Sequence, residues 1–121
     1  MAKAGHTVKA VPGTQHVRVE IDGRLVAESW RPVLVHETGM PVRYYLPPED
    51  VALDALEPTD TRTHCPFKGD ASYWSYRDGA GQVTQDVAWA YPEPLAEVAL
   101  IKGHLCFYDT KAAVAVDGAA L

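Results

Sequence analysis

Hydrophobic and polar positions first alternate at Val17, Val19 and Ile21, which are interleaved with Arg18, Glu20 and Asp22. A period of two marks a strand with one buried face. Asp22-Gly23 supplies the positive φ angles of a type I′ turn, so Arg24 to Glu28 is expected to return as the partner strand. The pattern continues with strands at Val33 to His36 and Val42 to Leu46, joined through Glu37-Thr38-Gly39-Met40-Pro41 as a second hairpin. Pro47-Pro48-Glu49-Asp50 predicts the opening of a short helix, with Val51, Leu53 and Leu56 as its apolar side and Pro58 as its stop. The aromatic and β-branched runs ASYWSYRD and QVTQDVAWAY form a third hairpin around Asp78-Gly79-Ala80-Gly81. Pro92-Glu93-Pro94 breaks the chain, and LAEVALI carries one or two helical turns ending at Gly103. His104 to Tyr108 and Val114 to Val116 finish as strands.

About eight short, regularly spaced strands with two brief helical pieces favour a mainly β, single compact bent-sheet or barrel-like domain over βαβ units. Residues 1–14 are expected to be a flexible lead-in and 15–121 one β domain. A chain of 121 residues is long enough to bury roughly two-thirds of its unfolded surface. A net charge of -5 argues against a general nucleic-acid binder, which needs clustered Lys and Arg. No apolar run approaches the ~20 residues of a bilayer span. The opening MAKAGHTVKAVPGT lacks the apolar stretch of a secretory signal, so a cytoplasmic location is expected. In that reducing setting Cys65 and Cys106 are expected to be free thiols. Composition leaves a homo-oligomer open.

Chemistry concentrates in HCPFKGDASYW, His64 to Trp74. Neighbours on an extended chain point to opposite sides, so His64 is not placed to deprotonate Cys65. A nucleophilic Cys65 would need another partner: Lys68 in the same loop, or His36 or His104 from elsewhere. Lys68-Gly69 can set an ammonium beside exposed backbone amides, which suits an anion, or can be a plain turn. It is no P-loop, because it precedes a strand and lacks the GKS/T register. Lys102-Gly103 repeats the pairing at an expected helix end. Tyr73, Trp74, Tyr76, Trp89 and Tyr91 sit on two paired strands: Tyr73 faces away from Trp74 and Tyr76, and Trp89 shares a side with Tyr91. One face is core and the other could stack a flat ligand. Glu28, Glu37, Asp70 and Asp86 are acid candidates that nothing in the spacing pairs. Neither C-x-x-C nor H-x₃-H occurs, so no metal site is expected.

The order GRLVAES, RPVLVHETGMPVRYYLPPEDV, LEPTDTRTHCPFKGDASYW, VAWAYPEPL and IKGHLCFY is similar to a widespread bacterial family of small proteins known as a domain of unknown function, with a nucleotidyltransferase-like label. The likeness runs from about Val17 to Gly118 and centres on HCPFKGxAxYW. It implies an Mss4-like, strongly bent β fold, the group that includes methionine sulfoxide reductases of the B type. It implies no particular activity. The zinc-binding cysteine pairs of that wider group are missing here, and no paired Asp motif is present to hold the Mg²⁺ of nucleotidyl transfer.

The leading expectation is a cleft around the HCPFKG loop for a small polar or anionic ligand, lined by His64, Lys68, Gly69, Tyr73 and Trp74, with Trp89, Tyr91 and Lys102 nearby. Lys68 would supply charge, the Gly69 amide a close contact, and the rings a stacking wall. The alternatives are a thiol-dependent enzyme with Cys65 as nucleophile or redox centre, and an interaction or structural module without catalysis.

Overall fold

A computed structural model describes residues 5–121. It holds eleven strands and three short 3₁₀ segments, arranged as three antiparallel sheets. The predicted first hairpin forms as β2 (Val17–Ile21) and β3 (Arg24–Ser29). Asp22 and Gly23 both take positive φ, 52° and 79°, as the type I′ turn requires. β4 (Val33–Glu37) and β5 (Arg43–Tyr45) make the second hairpin. β7 (Gly69–Arg77) and β8 (Val83–Ala90) make the third. The turn of this last hairpin is held by the Asp78 carboxylate, which accepts from the amides of Ala80 and Gln82 at 2.9 Å each.

The strand count expected from sequence was too low, and three omissions explain it. Within the supposed lead-in, β1 (Val8–Pro12) pairs with the outer side of β4; residues 1–4 lie outside the described residues. The helix expected from Pro47 onward is two single 3₁₀ turns, Pro48–Asp50 and Leu53–Ala55. The chain then extends as β6 (Leu56–Cys65), straight through Pro58. Pro58 ends no strand here, because β6 is the outer strand of its sheet and a missing N–H is tolerated at an edge. Lastly, β9 (Leu105–Phe107) and β10 (Ala113–Val116) were expected, but β10 also turns back through Asp117-Gly118 into β11 (Ala119–Ala120). Asp117 and Gly118 again pair φ values of 50° and 85°.

The sheets run β1-β4-β5, β11-β10-β2-β3 and β6-β7-β8-β9. They remain separate, and no sheet closes into a barrel among the described residues. The β6–β9 sheet carries a core on each face along β7, β8 and β9. Val87, Ala88, Ala90, Leu105 and Phe107 pack with Val17, Val19, Ile21, Val26 and Val114 of the β2–β3–β10 side. Ala71, Tyr73, Trp89, Tyr91 and Cys106 pack with Val33, Val35 and Tyr45 of the β4–β5 side, together with Val98 and Ile101 of the 3₁₀ segment Ala96–Ile101. This double burial is why β8 reads VAWA without polar interruption. Paired amide–carbonyl bonds of 2.8 Å between Leu46 and Leu105 stitch the β4–β5 hairpin to the central sheet. Across the same junction the Trp89 indole N–H donates to the buried Tyr45 hydroxyl at 3.1 Å.

Candidate functional site

Alternation along β6 sends His64 and Cys65 to opposite sides, as their adjacency requires. His64 is exposed, and its Nδ1 meets the Asp70 carboxylate at 2.7 Å across the strand pair. It borders an open outer groove with Arg62, Thr63, Asp70, Pro92 and Glu93. Cys65 is half-buried and packs at the margin of the aromatic core formed by Tyr73, Trp89 and Tyr91. Trp74 lies on the reverse face of β7, packed against the other core with Tyr76. Lys102 is exposed, and the chain beside it is pinned by the Gly103 amide donating to the Tyr91 carbonyl at 3.1 Å. The expected set therefore divides. Cys65, Lys68, Gly69, Tyr73, Trp89 and Tyr91 gather on one side of the central sheet, while His64, Trp74 and Lys102 face elsewhere.

Lys68 departs most from expectation. It is neither a plain turn lysine nor an open anion contact, because only 8% of it is exposed. Its ammonium donates to Glu37 Oε1 at 2.5 Å, and the other carboxylate oxygen accepts from His6 Nε2 at 3.0 Å. Lys68 Nζ also lies 3.9 Å from Cys65 Sγ. The loop holds this geometry through the Lys68 amide, which donates to the Cys65 carbonyl, and the Leu95 amide, which donates to the Lys68 carbonyl. Gly69 follows at φ +117°, and a Cβ there would meet the Glu93 carbonyl oxygen at 3.1 Å. Glycine is thus required at this step by backbone crowding. Burial works against an ionised Glu37, but the bonds from Lys68 and His6 outweigh it and hold the carboxyl below its ordinary range.

His6 stacks on Phe67 with ring centroids 4.1 Å apart, so the HCPFKG loop closes against the segment leading into β1. Beside that contact lies a pocket of about 270 Å³ lined by His6, Thr7, Val8, Pro66, Phe67, Leu95 and Glu97. Neither His6 nor the pairing of Glu37 with Lys68 could be found by spacing, since both partners of Glu37 stand 31 residues away from it. Deeper in the same core, burial first, and nearby Cys106 and Tyr91 next, push the Tyr45 hydroxyl far up. Burial drives Tyr91 upward as well, and it pushes the Cys106 thiol to about 12. Cys106 is accordingly a packing thiol. No group of three or more His, Cys, Asp or Glu that could hold a metal occurs among the described residues.

A family model described as a domain of unknown function, DUF427, matches residues 9–118. The chain belongs to that family. No curated protein matches the chain. The DUF427 match spans β1 through the β10–β11 turn, so it takes in all three sheets and the whole Lys68–Glu37 contact. No helix among the described residues is long and apolar enough to cross a membrane.

Proposed function

We propose that this DUF427 domain binds a small polar ligand in the pocket between the HCPFKG loop and the segment leading into β1. The observation that carries it is the charged chain Lys68–Glu37–His6 ending at a pocket wall: His6 is both a member of the chain and a lining residue. An ionised carboxylate only accepts hydrogen bonds. His6 therefore donates from Nε2 to Glu37. Glu97 adds carboxylate oxygens to the same lining. The ligand class that fits is a donor-rich one, such as a polyol, amide or amine with an apolar edge for Phe67, Pro66 and Leu95. An anion fits poorly, because Glu37 already answers the Lys68 charge.

A thermal-shift screen of small hydroxyl, amide and amine compounds against carboxylates and phosphates tests this. The expected hits are donors whose binding weakens at least tenfold in both Phe67→Ala and His6→Ala. Hits that bind both variants as tightly as the parent chain reject the pocket.

A second reading, Cys65 as nucleophile or redox centre, is favoured by the 3.9 Å approach of Lys68 to a half-buried thiol. Alkylation whose pH midpoint matches a free thiol, about 8.5, rejects it. The fold reading that accompanies both is an Mss4-like bent β structure, supported by three antiparallel sheets sharing one doubly buried member. A cytoplasmic setting is supported by two thiols that form no disulfide.

A further inference from the structure

Where the β4–β5 hairpin meets the central sheet, the pairing between the two is one residue pair long. Leu46 and Leu105 exchange both backbone bonds, and the ladder stops there. Tyr44 and Phe107 stand two residues further along, where the next such pair would form. On its other side β9 is bonded to β8 through Cys106 opposite Trp89 and through the Tyr108 amide, which donates to the Val87 carbonyl. Phe107, between those two, therefore turns its amide and carbonyl toward β5. Among the described residues no backbone bond joins it to Tyr44.

The gap is a cavity of about 240 Å³ to which all three sheets contribute. Val17, Val19, Leu46 and Val114 give it apolar walls, and Arg43 and Asp109 are the charged residues of its lining. Arg43 is half-buried, with its guanidinium 5.6 Å from the centre of the Trp89 ring. Asp109 is exposed, just past the end of β9. Neither forms an ion pair with the other or with any other described residue. Cys106, also in the lining, feels both: behind the dominant effect of burial, Arg43 pulls its thiol down and Asp109 pushes it up. Two opposite charges thus border one apolar cavity without closing on each other.

We propose that this cavity binds a small zwitterion with an aliphatic body, an apolar α-amino acid, with its carboxylate on Arg43, its ammonium on Asp109 and its side chain among Val17, Val19, Leu46 and Val114. A planar guanidinium can rest one face on an aromatic ring and still offer an edge of N–H donors to a carboxylate. An ammonium carries three donors, enough for the Asp109 carboxylate and the unpaired Phe107 carbonyl together. The cavity is smaller than the roughly 300–1,000 Å³ of common ligand pockets, which restricts the body to a few carbons. A ligand with one charge would leave either Arg43 or Asp109 unanswered, and an uncharged one would leave both. The cavity shares no lining residue with the Phe67 pocket and does not depend on it.

The test is a ¹H–¹³C titration with L-leucine at low salt, read at the methyl resonances of Val19, Leu46 and Val114. A saturable shift is expected at all three. Isocaproate and isoamylamine keep the branched body with only the carboxylate or only the ammonium, and each should bind roughly tenfold to a hundredfold more weakly, the worth of a charged hydrogen bond. Asp109→Asn should weaken leucine by a similar factor and leave isocaproate unchanged. Arg43→Gln should weaken leucine likewise and leave isoamylamine unchanged. Phe67→Ala should alter none of these affinities. Should Arg43→Gln not fold, Asp109→Asn, at an exposed position, decides alone. No saturable shift with leucine, equal affinity for leucine and either singly charged analogue, or undiminished leucine binding in Asp109→Asn overturns the proposal.

Discussion

The Lys68–Glu37 pair gives the sharpest quantitative test of how this fold is held. Only 10% of the Lys68 side chain and 12% of the Glu37 side chain are exposed, so solvent screens the pair weakly. Removing one member of a buried pair typically costs about 3–5 kcal/mol, because the survivor stays charged without its partner. Lys68→Met leaves Glu37 with His6 alone and should fall near the low end, about 3 kcal/mol. Glu37→Gln leaves a buried ammonium facing a neutral amide and should cost at least as much. The double variant has no uncompensated charge, so its loss should be smaller than the two single losses added together, by roughly 2 kcal/mol or more. For a chain of this length 3 kcal/mol corresponds to a Tm drop of about 12 °C. Equilibrium urea unfolding of the four proteins at neutral pH measures the cycle. Strictly additive losses, or single losses below about 1 kcal/mol, the value of an exposed pair, would refute the burial argument. The pH dependence adds a sign. The Glu37 carboxyl is held below its ordinary range, so its stabilisation is complete above the unfolded carboxyl pKa of about 4.3 and drains away as pH falls through the lower folded value. The gap between the parent chain and Lys68→Met should therefore narrow below that pH.

Three further outcomes follow from contacts elsewhere. Gly69→Ala should destabilise by about 1–3 kcal/mol, because φ +117° and the Glu93 carbonyl oxygen leave no room for a Cβ; urea midpoints within error of the parent would contradict this. Tyr45→Phe strands the buried Trp89 indole N–H and should cost about 1–3 kcal/mol by the same assay. In the native protein iodoacetamide should modify Cys65 and spare Cys106, whose thiol burial pushes to about 12; peptide mapping that finds Cys106 labelled as fast as Cys65 would overturn that assignment.

What could be read from the chain was whatever local chemistry determines. Asp22-Gly23 specifies its turn by itself, and Val17, Val19 and Ile21 specify which face goes in. Asp117-Gly118 carries the same turn signal, but the strand after it is only Ala119–Ala120, too short to show any alternation. β6 escaped for a different reason. As an edge strand it exposes most of both faces, so LEPTDTRTHC has no period to detect, and Pro58 looks like a stop where it is tolerated. β1 escaped because its residues are only partly buried along one edge of β4. The candidate site was legible as a region, since Cys65, Lys68, Gly69 and Tyr73 do gather. Its charge balance was not. Whether Lys68 offers a free charge depends on Glu37, and only the tertiary packing of β4 against the loop brings the two together.

That balance decides which ligands suit which part of the molecule. A lysine in a Gly-containing loop suggests an anion site, and the same lysine enclosed with a carboxylate becomes the positive end of an internal hydrogen-bond chain. Its charge is then answered inside the chain by Glu37, which also accepts from His6 at the pocket wall. The half-buried cation left without a carboxylate is Arg43, on a strand whose VRYYL pattern reads as ordinary β structure. It is held by an aromatic ring, which orients a guanidinium without neutralising it. The preference of the Phe67 pocket for donor ligands is thus a consequence of one packing choice, the burial of Glu37 against Lys68. Opening that pair by Glu37→Gln would return positive charge to the loop and shift the Phe67 pocket toward anions.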